Sequence, residues 1–279
     1  MAKITKYEKR LTLFIDFLGF SEIVDSTVSD PKLLDKLIDA LADAAETASY
    51  GRTADFHATQ FSDCLVISYK FERPETLFEI VNKLSLIVVR VASQGYLIRG
   101  GLTYGDLLHT DKVVVGPAMI RAYQLESKIA QSPRVILDPD VFNHALKKPS
   151  ADVLKTIKKF LRRDKDDGLW YFDYFSSKTV AETVVGEFDF YPKYLANLSI
   201  LIKRGLKHSS PSVLEKYVWM QKRYKAARKP FLRIAEDHSH RDAFPGYLES
   251  IENLPDLNKA AAKAVKIIAK AAKKKCKKL

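Results

Sequence analysis

The 279-residue chain carries 46 Lys+Arg against 34 Asp+Glu, a formal charge of +12, and is 47% hydrophobic and 11% aromatic. That apolar content builds a sizeable core and excludes intrinsic disorder, a collagen-like repeat and a disulfide-stapled miniprotein. Nine lysines and no acid lie within residues 257–279, and without those nine the body holds 37 basic against 34 acidic residues, so net charge describes no nucleic-acid-binding surface and no stable nucleic-acid partner is expected.

Residues 1–10 are polar, and the apolar run LTLFI that follows is cut at Asp16, too short for a signal-peptide core. Residues 10–17 read as a strand. Leu33, Leu34, Leu37, Ile38, Leu41 and Ala44 recur at helical spacing over 32–49, after a Ser-Asp-Pro start. Runs at 53–61 and 64–70, joined through Ser62-Asp63, read as a hairpin. A second amphipathic helix at 74–93, a glycine-bearing strand at 96–105 and a short strand at 112–115 come next. A helix at 117–131, a strand at 134–138, a helical stretch at 139–162 and a strand at 169–175 complete the pattern. This is an α+β order, β-α-β-β-α-β with additions, the ferredoxin-like split βαβ arrangement of an antiparallel sheet covered on one face by helices.

Beyond residue 178 helical signals dominate, at 192–206, 211–236 and 256–278, and the polar stretch 176–183 is read as the boundary. Two domains are expected, 1–178 and a C-terminal helical extension at 179–279. The longest apolar stretch, 84–92, is interrupted by Arg90 and falls far short of the ~20 residues a membrane span needs. Two cysteines, Cys64 and Cys276, in unlike contexts suit a reducing compartment, and a soluble cytoplasmic protein is expected. In the C-terminal helix Lys259, Lys263, Lys266, Lys270, Lys273, Lys274 and Lys277 share one side, with Val265, Ile268 and Ala272 opposite. Its first reading is an apolar stripe packed on the body with lysines in water; its second is contact with an anionic membrane or nucleic acid. His238 and His240 lack zinc-type spacing and read as a solvated loop.

Asp16 interrupts a segment that otherwise wants burial, so its charge must be paired, hydrogen-bonded or bound to metal. A cap satisfied by the amides of Leu18 and Gly19 is one alternative. Asp63, at the hairpin tip before Cys64-Leu65-Val66-Ile67, has an ordinary turn reading. Together they say more. In a split βαβ sheet the first strand lies beside this hairpin, and two carboxylates brought that close repel unless a proton or cation sits between them. Hard oxygen ligands select Mg²⁺ or Mn²⁺, which usually arrive with substrate phosphates. Cys64 reads as a small apolar residue beside the site, not a nucleophile.

Four segments resemble the class III nucleotidyl cyclases. They are Phe14-Ile15-Asp16-Phe17-Leu18-Gly19-Phe20, Phe61-Ser62-Asp63, Ile98 to Asp106 (IRGGLTYGD), and Gly116-Pro117-Ala118 with Ala122 to Ser127 (AYQLES). The resemblance covers residues 9–175. It implies that Asp16, Asp63 and the Phe17 carbonyl hold two divalent cations and that the Leu18-Gly19-Phe20 amides receive the triphosphate. It also implies in-line attack of the ribose 3′-hydroxyl on the α-phosphorus, releasing pyrophosphate, and a homodimer with two symmetric sites.

Departures from the family pattern shape the substrate expectation. Thr59 stands where purine cyclases carry a base-reading lysine, and Val113, with Asp111 and Lys112 beside it, stands at the base-reading aspartate. Loss of that donor–acceptor pair removes purine discrimination, and Tyr50 is the ring expected to fill the vacated space, its other reading being an aromatic that closes a helix end on the core. This combination resembles the bacterial Pycsar pyrimidine cyclases of anti-phage defence, which implies a uridylate cyclase preferring UTP to CTP. Ile120 and Gln124 replace the Asn and Arg that stabilise the transition state, so Arg121 and Arg99 are the candidate substitutes, each with a second reading as a solvated or interface charge. The alternatives are a cytidylate or purine cyclase, and an inactive cyclase-like module for nucleotide binding or dimerisation.

Overall fold

The structure is a computed structural model that describes residues 6–51, 55–145, 147, 151–184, 189–236 and 246–276, divided between two compact units, Met1–Tyr174 and Phe175–Leu279. His238 and His240 lie outside the described residues. Among the described residues no helix is long and apolar enough to cross a membrane.

In the first unit, strand β1 (Glu8–Phe17) alternates fully buried Leu11, Leu13 and Ile15 with Arg10, Thr12, Phe14 and Asp16, the period-two pattern that gives a strand two unlike faces. After it, α1 (Phe20–Thr27) follows a left-handed Gly19, and α2 (Pro31–Ser49) begins where the Asp30 side chain accepts the amides of Lys32 and Leu33 ahead of a first-turn proline. The hairpin β2 (Phe56–Phe61) and β3 (Cys64–Lys70) leads into α3 (Thr76–Ser93) and β4 (Ile98–His109). Then come β5 (Val114–Val115), α4 (Pro117–Gln124) and a π-helical turn, Leu125–Ile129. The unit ends with β6 (Val135–Leu137), α5 (Pro139–Ala145), α6 (Ala151–Phe160), β7 (Leu161–Arg163) and β8 (Trp170–Phe172).

The fold is α+β with a mixed eight-stranded sheet in the order β2-β3-β1-β4-β6-β8-β7, β5 pairing with β4. β1 lies between β3 and β4, antiparallel to both. A wholly antiparallel sheet is not what forms: β6 joins β4 in parallel, because a helical crossover, not a tight turn, connects them. The expected helix at 139–162 is two helices, its last residues opening β7, and the helix at 117–131 ends in the π turn. α1 carries no long apolar stripe and escapes periodicity.

In the second unit, the polar stretch read as a boundary forms α7 (Ser177–Thr183). Helices α8 (Phe190–Gly205), α9 (Pro211–Glu236), α10 (Tyr247–Glu252) and α11 (Asn258–Cys276) follow, with α8, α10 and α11 packed on α9. On α11 the buried residues are Ala261 and Ala264, while Val265 is exposed. Ile268 is partly buried and Ala272 exposed, so the packed stripe runs through Ala261, Ala264 and Ile268 and keeps one residue of the expected three.

Candidate metal centre

The β1–β3 register sets Asp16 directly opposite Cys64, and the β1–β4 register sets it opposite Arg99. One row of side chains, Phe61, Cys64, Asp16 and Arg99, thus crosses four strands on one face. The hairpin between β2 and β3 turns in two residues, with Ser62 in the left-handed region at φ 54°, a conformation held only where the surroundings enforce it. That turn carries Asp63 to the same place. One ligand atom each from Asp16, Asp63 and Cys64 lie within 4.8 Å of one another.

The electrostatics of this cluster are unfavourable with both carboxylates ionised. Burial, then the Asp63 carboxylate beside it, then the charge of Glu126, push the Asp16 carboxyl up to about 7. Burial and the two aspartates push the Cys64 thiol up to about 12, so it stays protonated and donates to Asp16 Oδ1 at 3.4 Å. Two carboxylates sharing one site, at this cost, are a donor set that fits a hard divalent ion. The backbone-cap alternative for Asp16 does not hold at Leu18, whose amide donates to the Leu97 carbonyl at 2.7 Å.

The two candidate arginines are both committed. Arg99 Nε donates to Glu126 at 2.5 Å, and Glu126, only 3% exposed, sits in the π turn, a distortion often found at functional sites. Arg121 Nε donates to buried Asp138 at 2.5 Å, and the same carboxylate accepts from Thr103 Oγ1. Ile120 is 61% exposed and Gln124 is partly buried on α4.

Of the expected triphosphate amides, that of Leu18 is spent on Leu97. Those of Phe20 and its two successors begin α1, which has no side-chain cap and whose first intrahelical bond is Ile23 N–H to the Gly19 carbonyl, so they have no intrahelical acceptor. Phe17 ends β1 with its ring buried. Tyr50 does not close its helix on the core: it is 78% exposed at the end of α2, with its carbonyl accepting from Lys83 Nζ, which also lies 5.7 Å from the ring centroid. Thr59 is half-buried on β2, its Oγ1 3.0 Å from His109 Nε2. Asp111 and Val113 sit in the β4–β5 turn, with Asp111 Oδ1 4.0 Å from His57 Nδ1.

No family model and no curated protein matches the chain.

Cys64 lies beside the site as expected, but sequence reasoning missed its thiol as a donor to Asp16, Glu126 as the partner of Arg99, and a polar network of Arg10, Ser68 and His109. A signal for part of this is present: Arg10, Thr12 and Asp16 fall on alternate positions of one strand, which marks a face carrying polar groups among apolar neighbours. Glu126 has no such signal, because the π turn shifts the helical register that would place it.

Proposed function

We propose that the first unit is a metal-dependent pyrimidine nucleotide cyclase that converts UTP to 3′,5′-cyclic UMP and pyrophosphate, acting as a homodimer and raising a signal in anti-phage defence. The observation that carries this reading is the convergence of Asp16 and Asp63, 47 residues apart in sequence, into one cluster; the strand order β4-β1-β3-β2 is compatible with the split βαβ core that the class III resemblance implies. Asp16 and Asp63 would hold two divalent cations, Mn²⁺ or Mg²⁺, which when bound acidify the ribose 3′-hydroxyl and neutralise the leaving pyrophosphate. The first-turn amides of α1 receive phosphate oxygens. Thr59, on the carboxylate face of β2, faces the base, whereas Tyr50 stands with Lys83 and Phe56 on the opposite face of that strand and is left out of the pocket. Exposed Phe61, Ile120 and Tyr123 on elements bordering the carboxylates supply apolar area for a second copy.

A second reading, an inactive nucleotide-binding or dimerisation module, is favoured by one specific observation: Arg99 and Arg121 are paired with Glu126 and Asp138, so a transition-state cation requires one of those pairs to open.

The test is incubation of purified protein with each of the four nucleoside triphosphates and Mn²⁺, with products identified by mass spectrometry alongside Asp16→Ala and Asp63→Ala. Cyclic UMP that disappears in both variants is the expected result. Cyclic CMP, or a cyclic purine nucleotide, moves the activity to the cytidylate or purine alternative. No product together with nucleotide-dependent thermal stabilisation supports the inactive module.

A further inference from the structure

A second polar cluster occupies the same sheet face, two to six residues along the strands from the carboxylate row. Thr59 is paired with Val66, and Val66 with Phe14, so Thr59 lies one row, about 7 Å along the strand direction, from the Asp16 row. One row further are His57 and Ser68, opposite Thr12.

The direction of the hydrogen bonds follows from what each group is able to do. Arg10 Nε only donates, and it lies 2.9 Å from Ser68 Oγ, so that oxygen accepts. Ser68 is fully buried, and its own hydrogen needs an acceptor; His109 Nδ1 is 2.8 Å away. Nδ1 therefore carries the lone pair and Nε2 the hydrogen, which is donated to Thr59 Oγ1 at 3.0 Å. The opposite tautomer sets two donors on the Ser68 oxygen and strands the Ser68 hydrogen in the interior. Burial, with the charges of His57 and Arg10, pushes His109 down to about 4, which keeps the ring neutral near pH 7. Thr59 Oγ1 accepts from the ring, and its own hydrogen remains to be donated.

We infer that His109, fixed by Arg10 and Ser68, is a positioning residue that makes the half-buried Thr59 hydroxyl a hydrogen-bond donor toward a bound base, selecting the 4-oxo group of uracil over the 4-amino group of cytosine. The inference rests on the reading of this face as a pyrimidine nucleotide site. A carbonyl oxygen accepts that hydrogen directly, whereas an amino group needs the second lone pair of Thr59 Oγ1 and forces the hydroxyl hydrogen to turn to another acceptor.

Two measurements test it. Nitrogen-15 NMR of histidine-labelled protein reports the His109 tautomer without any nucleotide; Nε2–H is expected, and Nδ1–H overturns the inference. Separately, kcat/KM with Mn²⁺ is compared for UTP and CTP. Thr59→Val and Ser68→Ala are each expected to shrink the UTP preference by about tenfold or more, and Thr59→Ser to retain it. If both pyrimidines are cyclised but Thr59→Val leaves their ratio unmoved, the donor role of Thr59 is wrong and the cyclase reading stands. If neither pyrimidine triphosphate is bound or cyclised, both fall.

Discussion

Two polar rows share one face of the sheet, and they differ in how completely their groups are matched. In the histidine row donors meet acceptors in sequence from Arg10 through Ser68 and His109 to Thr59, while the buried hydroxyl of Thr12, opposite Ser68, has no partner among the described residues. In the carboxylate row Asp16 and Asp63 converge with Cys64, while the row's own cation, Arg99, is taken by Glu126. The result is a neutral histidine in one and an aspartate raised to about 7 in the other. A chain of matched buried hydrogen bonds fixes orientation; an acidic cluster held together at electrostatic cost is relieved by a proton or by a cation.

The contrast breaks most sharply in activity. Replacing Asp16 or Asp63 by Ala is expected to lower cyclic nucleotide formation by at least about a hundredfold, measured as initial rate with Mn²⁺, while the protein remains folded. His109→Leu instead attacks the matched row. It leaves the Ser68 and Thr59 hydroxyls without their ring partner and is expected to cost about 1–3 kcal/mol of stability, read as a fall in the thermal midpoint. Asp16→Asn goes the other way and raises the midpoint of metal-free protein at pH 8, because it removes a charge the fold disfavours.

The pH profile follows from the same carboxyl. The folded state keeps the Asp16 proton up to about 7, whereas the unfolded chain releases it near ~3.9. Between those values the folded state binds more protons, so metal-free stability falls as pH rises from about 4 to 7 and then levels off. Thermal unfolding across that range checks it, and Asp16→Asn flattens this part of the profile. Glu126→Gln gives the smallest effect. Removing one of the negative charges that raise Asp16 moves the transition to lower pH, by less than Asp16→Asn changes it.

Much of the first unit was legible in the sequence because its signals are local. The apolar alternation of β1, the Asp-Pro start of α2 and the Ser-Asp turn between β2 and β3 each name their own element. Asp16 and Asp63 stood out because a charge in an apolar run and an acid at a hairpin tip are visible one residue at a time. What stayed hidden depends on partners far along the chain. Nothing near Arg99 announces Glu126, nothing near Thr59 announces His109, and the exposure of Tyr50 reflects how Lys83 from α3 holds the end of α2. The parallel pairing of β6 was equally hidden, since three residues of strand carry no mark of direction.

The central claim is that Asp16 and Asp63 together grip a divalent cation. Anomalous diffraction from a crystal grown with Mn²⁺ and a non-cyclisable UTP analogue tests it most directly. A manganese peak bonded to oxygens of both carboxylates is the predicted result; manganese bound elsewhere, with the two side chains turned from each other, would contradict it.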